Sequence, residues 1–193
     1  MTIRSRFVAV IVALSVVICS GSVSVAVGSD NGIEMKLDEV SANITTGEIE
    51  SSIDVLEKMP VEGMNIVQLS RRHFLLGKAE YVRVIKDIRE CREDGSQGAS
   101  ELQEHQVAPL RKALEYFQQS YETAPDSEWA PEAMYAAALT QDYGCLNRFN
   151  DAAETYQLLL ERYPDSPLVS GAESRSKILK GSLGNRAHGG SHP

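Results

Sequence analysis

The sequence predicts an all-α protein: a short array of helical hairpins with a divergent helical unit at its N-terminal end. Three observations lead there. Two segments of helical pattern repeat at an interval of 39 residues. Apolar stretches of helical period are separated by turn residues, among them Pro60, Gly63, Pro125, Gly144 and Pro164. Ala, Leu, Glu, Gln and Lys dominate after the first thirty residues and aromatics make up only 6%, which suits helix and not a sandwich or barrel. The 193 residues are 42% hydrophobic and 24% charged, enough for one domain with a core and too apolar for a disordered chain. A formal net charge of −8 argues against a nucleic-acid partner, whose phosphates demand a basic face.

Residues 1–28 read as a secretory signal peptide. Arg4 and Arg6 precede the apolar run Phe7 to Cys19, and small residues follow. Ser24 and Ala26 suit cleavage after Ala26, with Ala26 and Gly28 as a second choice. Two alternatives compete. Nothing from Phe7 to Gly28 is charged, so the segment could stay as a membrane anchor. Cys19 could instead carry a lipid, although Ile18 is larger than the small residue such a site wants. The expectation is an exported protein of the bacterial periplasm, membrane-bound only if this segment is retained or lipidated. In that oxidising space Cys91 and Cys145 can form one bridge or remain two buried thiols.

In the mature chain, residues 29–64 form an N-terminal helical segment. It holds a weak helix over about Glu34 to Asn43, then a helix capped by Thr46 or Gly47 that ends at Lys58 before Pro60. A long helix follows from Asn65 to Arg92, and Gly95 and Gly98 mark the loop behind it. The next helix spans Glu101 to Thr123 with Pro109 inside it, a kink or a split. Ser127 is expected to cap a helix over Glu128 to Tyr143, and Asn150 one over Asp151 to Tyr163. Pro167 to Lys180 forms the last helix of a repeat domain over 65–180. Residues 181–193 read as a disordered tail, in which His188 and His192 are solvated.

The repeat aligns Lys112–Ser127 with Asp151–Ser166, with seven identities in sixteen positions. Ala113 and Phe117, like Ala152 and Tyr156, stand one turn apart on one helix face. The alanine admits a neighbouring helix and the ring fills the gap beside it. Pro125 and Pro164 then end their helices, and Asp-Ser supplies the turn. This A-x₃-[FY]-x₇-P spacing resembles the second helix of the tetratricopeptide repeat (TPR). Ala137-Ala138 stand near the family's Leu-Gly pair, and His73-x-x-Leu76-Gly77 is similar to the start of a first helix. The phrase YPDSP resembles exported bacterial members of the family. The departures are a 39-residue rather than 34-residue period and an insertion around residues 90–105. The resemblance is strong over about 110–166 and weak over 66–180.

No phosphate loop, nucleophile elbow or paired-histidine helix is present. His73 and His105 stand alone, and Glu101, Glu104, Glu115, Glu154 and Glu161 read as solvated helix faces. The chain is therefore expected not to be an enzyme and to need no cofactor, metal or small-molecule substrate. Trp129 is expected to wedge between repeats on Phe117 and Tyr121. The resemblance implies an adaptor that binds another protein or peptide through the first helices of its hairpins. On those helices Glu132, Tyr135, Leu139, Asp142 and Tyr143 share a stripe, and Arg71, Arg72 and Lys78 offer basic groups for an acidic peptide end. The competing reading is a membrane-tethered structural subunit of an envelope complex.

Overall fold

The computed structural model describes the backbone over residues 28–93, 104–142, 146 and 148–188, with side chains over 31–85, 107–142, 146 and 148–181. Everything regular in those residues is α-helix: α1 (Gly28–Thr46), α2 (Ile49–Lys58), α3 (Ile66–Glu93), α4 (Glu104–Thr123), α5 (Ala130–Gln141), α6 (Phe149–Arg162) and α7 (Val169–His188). The helices pack in chain order, each on the next, and α1 and α5 also touch α3. One continuous core runs from Leu37 and Val40 on α1, through Leu76, Phe117 and Met134, to Tyr156, Ala172 and Leu179 on α7. Residues 1–27, where the signal peptide or anchor is expected, lie outside the described residues.

Local chemistry sets the helix ends. Helix α1 begins at Gly28, ahead of the expected Glu34, and buries only Leu37, Val40 and Ile44 deeply. Burying each such side chain is worth about 1.5–3 kcal/mol. Its end is a two-bond glycine cap. Gly47 takes φ +96°, its N–H bonds to the Ile44 carbonyl at 3.3 Å, and the Glu48 N–H bonds to the Asn43 carbonyl at 2.9 Å. Gly47 thus closes α1 rather than capping α2, whose start carries no side-chain cap. At the start of α3 a reciprocal box appears. The Gln68 N–H donates to Asn65 Oδ1 at 2.9 Å, and the Asn65 N–H donates to Gln68 Oε1 at 3.0 Å. Helix α4 runs through Pro109, six residues in, without splitting.

The repeat recurs in the backbone. The Ser127 N–H bonds to the Ala124 carbonyl at 3.0 Å, and the Ser166 N–H to the Tyr163 carbonyl at 3.0 Å. Ala130 to Ser127 at 3.2 Å is matched by Val169 to Ser166 at 3.1 Å, and Ala133 to Trp129 at 2.9 Å by Ala172 to Leu168 at 3.0 Å. Each pair is 39 residues apart. These double turns delay the helix, so α5 starts at Ala130 and Ser127 is not its cap. The Ser127 hydroxyl lies 3.4 Å from Ser70 Oγ, beside the Ser70 hydroxyl's bond to the Ser120 carbonyl. Likewise Asn150 sits inside α6, which starts at Phe149 without a side-chain cap. Helix α7 corrects the expectation of a disordered segment from 181, since it continues to His188. Once nucleated, a helix extends one bond per residue, and no proline interrupts 169–188.

The tightest contact is between α3 and α4. A Cβ on Gly77 would lie 2.6 Å from Phe117 Cδ1 and 3.1 Å from the Ala113 carbonyl oxygen. Gly181, by contrast, has nothing within 4 Å of its Cβ position. Helix propensity alone would stabilise both Gly→Ala changes by about 0.5–1 kcal/mol. Gly181→Ala is therefore expected to raise the urea midpoint, while Gly77→Ala overpacks and costs about 1–3 kcal/mol. A neutral or stabilising Gly77→Ala would show that α3 and α4 do not meet at this register.

Candidate functional site

Most of the stripe expected to receive a peptide is occupied by the protein itself. Arg71 is buried on α3. Its Nη1 donates to Glu34 at 2.7 Å and its Nη2 to Asp38 at 2.5 Å, both carboxylates on α1. Its guanidinium also lies 4.7 Å from the Trp129 ring centroid. Burial works against this charge, but the hydrogen bonds and charges of Asp38 and Glu34 outweigh it and raise the pKa. Arg72 Nε donates to the Leu56 carbonyl at 2.8 Å, and burial lowers its pKa. Neither arginine is a free basic group. Each ties α3 to the N-terminal helices. Lys78, half-buried on α3, is in no ion pair among the described residues.

On α5, Asp142 is buried and receives two bonds from Arg175 of α7, at 2.8 Å from Nε and also from Nη2. That hydrogen bond is the main reason the Arg175 pKa is raised. Tyr135 packs edge-on against Tyr156 at 5.7 Å, and its hydroxyl lies 2.9 Å from where a Gly171 Cβ would stand. Leu139 packs on the core, and of the described residues of this stripe only Glu132 is exposed. Tyr143 lies outside the described residues. So do Cys145 and the side chain of Cys91, whose backbone is on α3, and with them the question of a disulfide.

The repeat-packing residues are placed as their pattern demands. Ala113, Ala152, Phe117 and Tyr156 are buried. Pro125 and Pro164 are exposed at the two turns, and the Tyr163 hydroxyl donates to the Pro125 carbonyl at 2.8 Å. Trp129 is a wedge, but its ring partner is Phe74 of α3, stacked at 5.9 Å, and Phe74 in turn meets Phe117 at 6.1 Å. The repeat does not extend back to α3, so its pattern could not name Phe74.

Sequence reasoning missed one buried charge. Glu80 of α3 is 1% exposed. One carboxylate oxygen accepts from Arg83 Nη2 at 2.5 Å, and the other lies 3.7 Å from Lys112 Nζ without a hydrogen bond. Burial raises its pKa, opposed by Arg83 and Lys112. Nearby His73 stacks on Tyr116, and burial lowers its pKa, aided by the Arg72 charge. A helical period signals which positions are buried, but it offers no hint that a glutamate would occupy one.

An open cleft lies elsewhere. A surface cleft of about 440 Å³ opens between the N-terminal end of α5 and the α6–α7 turn. Pro131, Pro164, Pro167, Tyr163 and Leu168 form its walls, and Glu128, Glu132, Asp165 and Arg162 its charges. None of these four charged groups is in an ion pair among the described residues. The cleft holds no nucleophile–base pair, and the described residues contain no group of three His, Cys, Asp or Glu side chains suited to a metal. No protein-family model, curated protein or solved structure matches this chain.

Two outcomes follow. Arg71→Met removes the tie from α3 to the partly exposed Glu34 and Asp38 and the cation over Trp129. It is expected to cost about 1–3 kcal/mol in denaturant unfolding, and a loss indistinguishable from zero would mean that the ties are solvated. For Glu80 the folded pKa lies above the ordinary 4.5. Its contribution is therefore largest below pH 4.5 and is lost as pH rises through the folded value. Subtracting the stability of Glu80→Gln from that of the parent should give a difference that falls from pH 4.5 upward. A difference that rises with pH would reverse the assignment. Using a difference cancels His73, whose lowered pKa acts in the opposite sense.

Proposed function

We propose that this chain is an exported adaptor of the TPR type, a short helical-repeat scaffold that holds another protein or peptide in the bacterial cell envelope. The carrying observation is the 39-residue register. The same three backbone bonds recur at Ala124–Ala133 and Tyr163–Ala172, so a repeated sequence gives a repeated turn. The order of contacts supports the same reading. Helices α1/α2, α3/α4 and α5/α6 form successive pairs, with the first helices α1, α3 and α5 in touch and α7 covering the last pair. Ser52 and Leu56 of α2 are both buried one turn apart, the same spacing as the alanine and ring of α4 and α6.

Export rests on the order of residues 1–28, basic, then apolar, then small. The uncharged run from Phe7 to Gly28 favours a second reading, a membrane-tethered subunit of an envelope complex. Among the described residues no helix is long and apolar enough to cross a membrane. One experiment separates the readings: osmotic shock and crosslinking of the tagged full chain in its native cell, with intact-mass measurement. The adaptor reading expects release by shock, an N-terminus at Val27 or Ser29, and a crosslink to one protein above all others. Retention in washed membranes with residues 1–26 present, or acylation at Cys19, supports the tether. A cytosolic species starting at Met1, or a folded chain with no specific crosslink, overturns the adaptor.

A further inference from the structure

The two turns of the repeat share a backbone and differ in what fills the space beside it. In the first turn the residue preceding the helix is Trp129, whose indole stacks on Phe74 at 5.9 Å and under Arg71 at 4.7 Å. Its counterpart 39 residues on is Leu168, which lines the 440 Å³ cleft. Leucine is much smaller than tryptophan, so the second turn leaves open what the first one fills. The size is within the ~300–1,000 Å³ range of sites that hold ligands.

We propose that this cleft is a docking site for an extended polypeptide segment bearing an arginine or lysine. Charge complementarity selects the occupant. Among the described residues Glu128, Glu132 and Asp165 are exposed and in no ion pair, and Arg162 is the one cation lining the cleft with them. Where a cation is in reach, the chain ties its acids to it: Glu34 and Asp38 on Arg71, Glu80 on Arg83, Asp142 on Arg175. Proline rings and the Tyr163 phenol give apolar walls. That phenol is held by its bond to the Pro125 carbonyl, so its face presents a fixed surface for the flat guanidinium or methylene stem of the incoming residue. An anionic peptide end would meet three carboxylates here, so the acidic end that Arg71 and Arg72 were expected to receive has no site in this cleft.

The proposal rests on the adaptor reading and names the chemistry of its partner. The test uses the full-length chain and immobilised, acetylated octapeptide libraries with arginine, citrulline or glutamate fixed at the centre. Citrulline keeps the shape of arginine without its charge. Retention on the arginine library about tenfold above both others is expected. Glu132→Gln with Asp165→Asn should lower it about tenfold, and added salt should weaken it. Leu168→Trp fills the cleft and should abolish retention while circular dichroism and melting hold, since the same backbone already carries Trp129 in the first turn. Equal retention on citrulline or glutamate, no retention on any library, or retention that survives both variants overturns the proposal. The two readings fail separately. If in-cell crosslinking captures the same protein with Leu168→Trp as with the parent, the adaptor stands and the cleft does not. If crosslinking captures nothing, the adaptor fails whatever the libraries show.

Discussion

The N-terminal half of the described array depends on one close approach, the ring of Phe117 lying against the bare backbone of Gly77. Any side chain there would push α3 from α4, and α3 is the helix that α1, α2, α4 and α5 all touch. Its serine meets the end of α4 and its phenylalanine meets the indole before α5. Its arginines hold α1 and α2. A small residue against an aromatic recurs where Gly171 of α7 makes room for Tyr135. Dense interiors tolerate little volume change, so such pairs fix the distance between neighbouring helices, and the longer ties form only at that distance.

The ties themselves are polar and lie between elements far apart in sequence. Arg71 reaches back 33 and 37 residues to Asp38 and Glu34, and Arg175 reaches back 33 to Asp142. Each joins successive first helices or their neighbours. In each tie one member is buried, Arg71 or Asp142, and removing its more exposed partner leaves that buried charge without compensation, which costs more than the intact pair contributes. Such links make the array resist slippage along the helix axes, where apolar faces alone would permit several registers. Whether they add much net stability is secondary to this geometric role.

The legible part of the fold was the part whose signal is local. Pro125 and Pro164, Ala113 and Ala152, and the rings at Phe117 and Tyr156 betray helix ends and buried faces within sixteen residues. The end of α2 at Lys58 follows from Pro60 in the same way. What escaped was set by partners. Arg71, Arg72 and Asp142 carry charges that usually mean solvent, and only the arrival of α1, α2 and α7 turns them inward. Gly47 looked like the start of a helix because Thr46 precedes it. The positive φ that makes it the end of α1 is a property of the fold. The helix beyond Lys180 escaped because Gly181, Gly184 and Ser182 have weak intrinsic preference, while continuation needs only the absence of a stop. Of the candidate site, Glu132 alone was marked in sequence. The cleft arises between segments more than thirty residues apart.

Repeats divide labour in a way this chain makes visible. The shared backbone of the two double turns solves the folding problem twice with the same bonds, so it carries no information about what either turn recognises. That information sits at the positions where the copies disagree. Trp129 commits the first turn to packing, whereas Leu168 and Tyr163, in place of Trp129 and Ala124, leave the second turn walled but unfilled. Three carboxylates in no ion pair among the described residues, Glu128, Glu132 and Asp165, line the unfilled turn. An exposed carboxylate without an internal partner costs little in folding, because water solvates it. It becomes selective when a shaped wall stands next to it, since an incoming cation then exchanges water for fixed charge and ring together. In a chain with a net charge of −8, the place where shape and unspent charge coincide is a better guide to function than charge by itself.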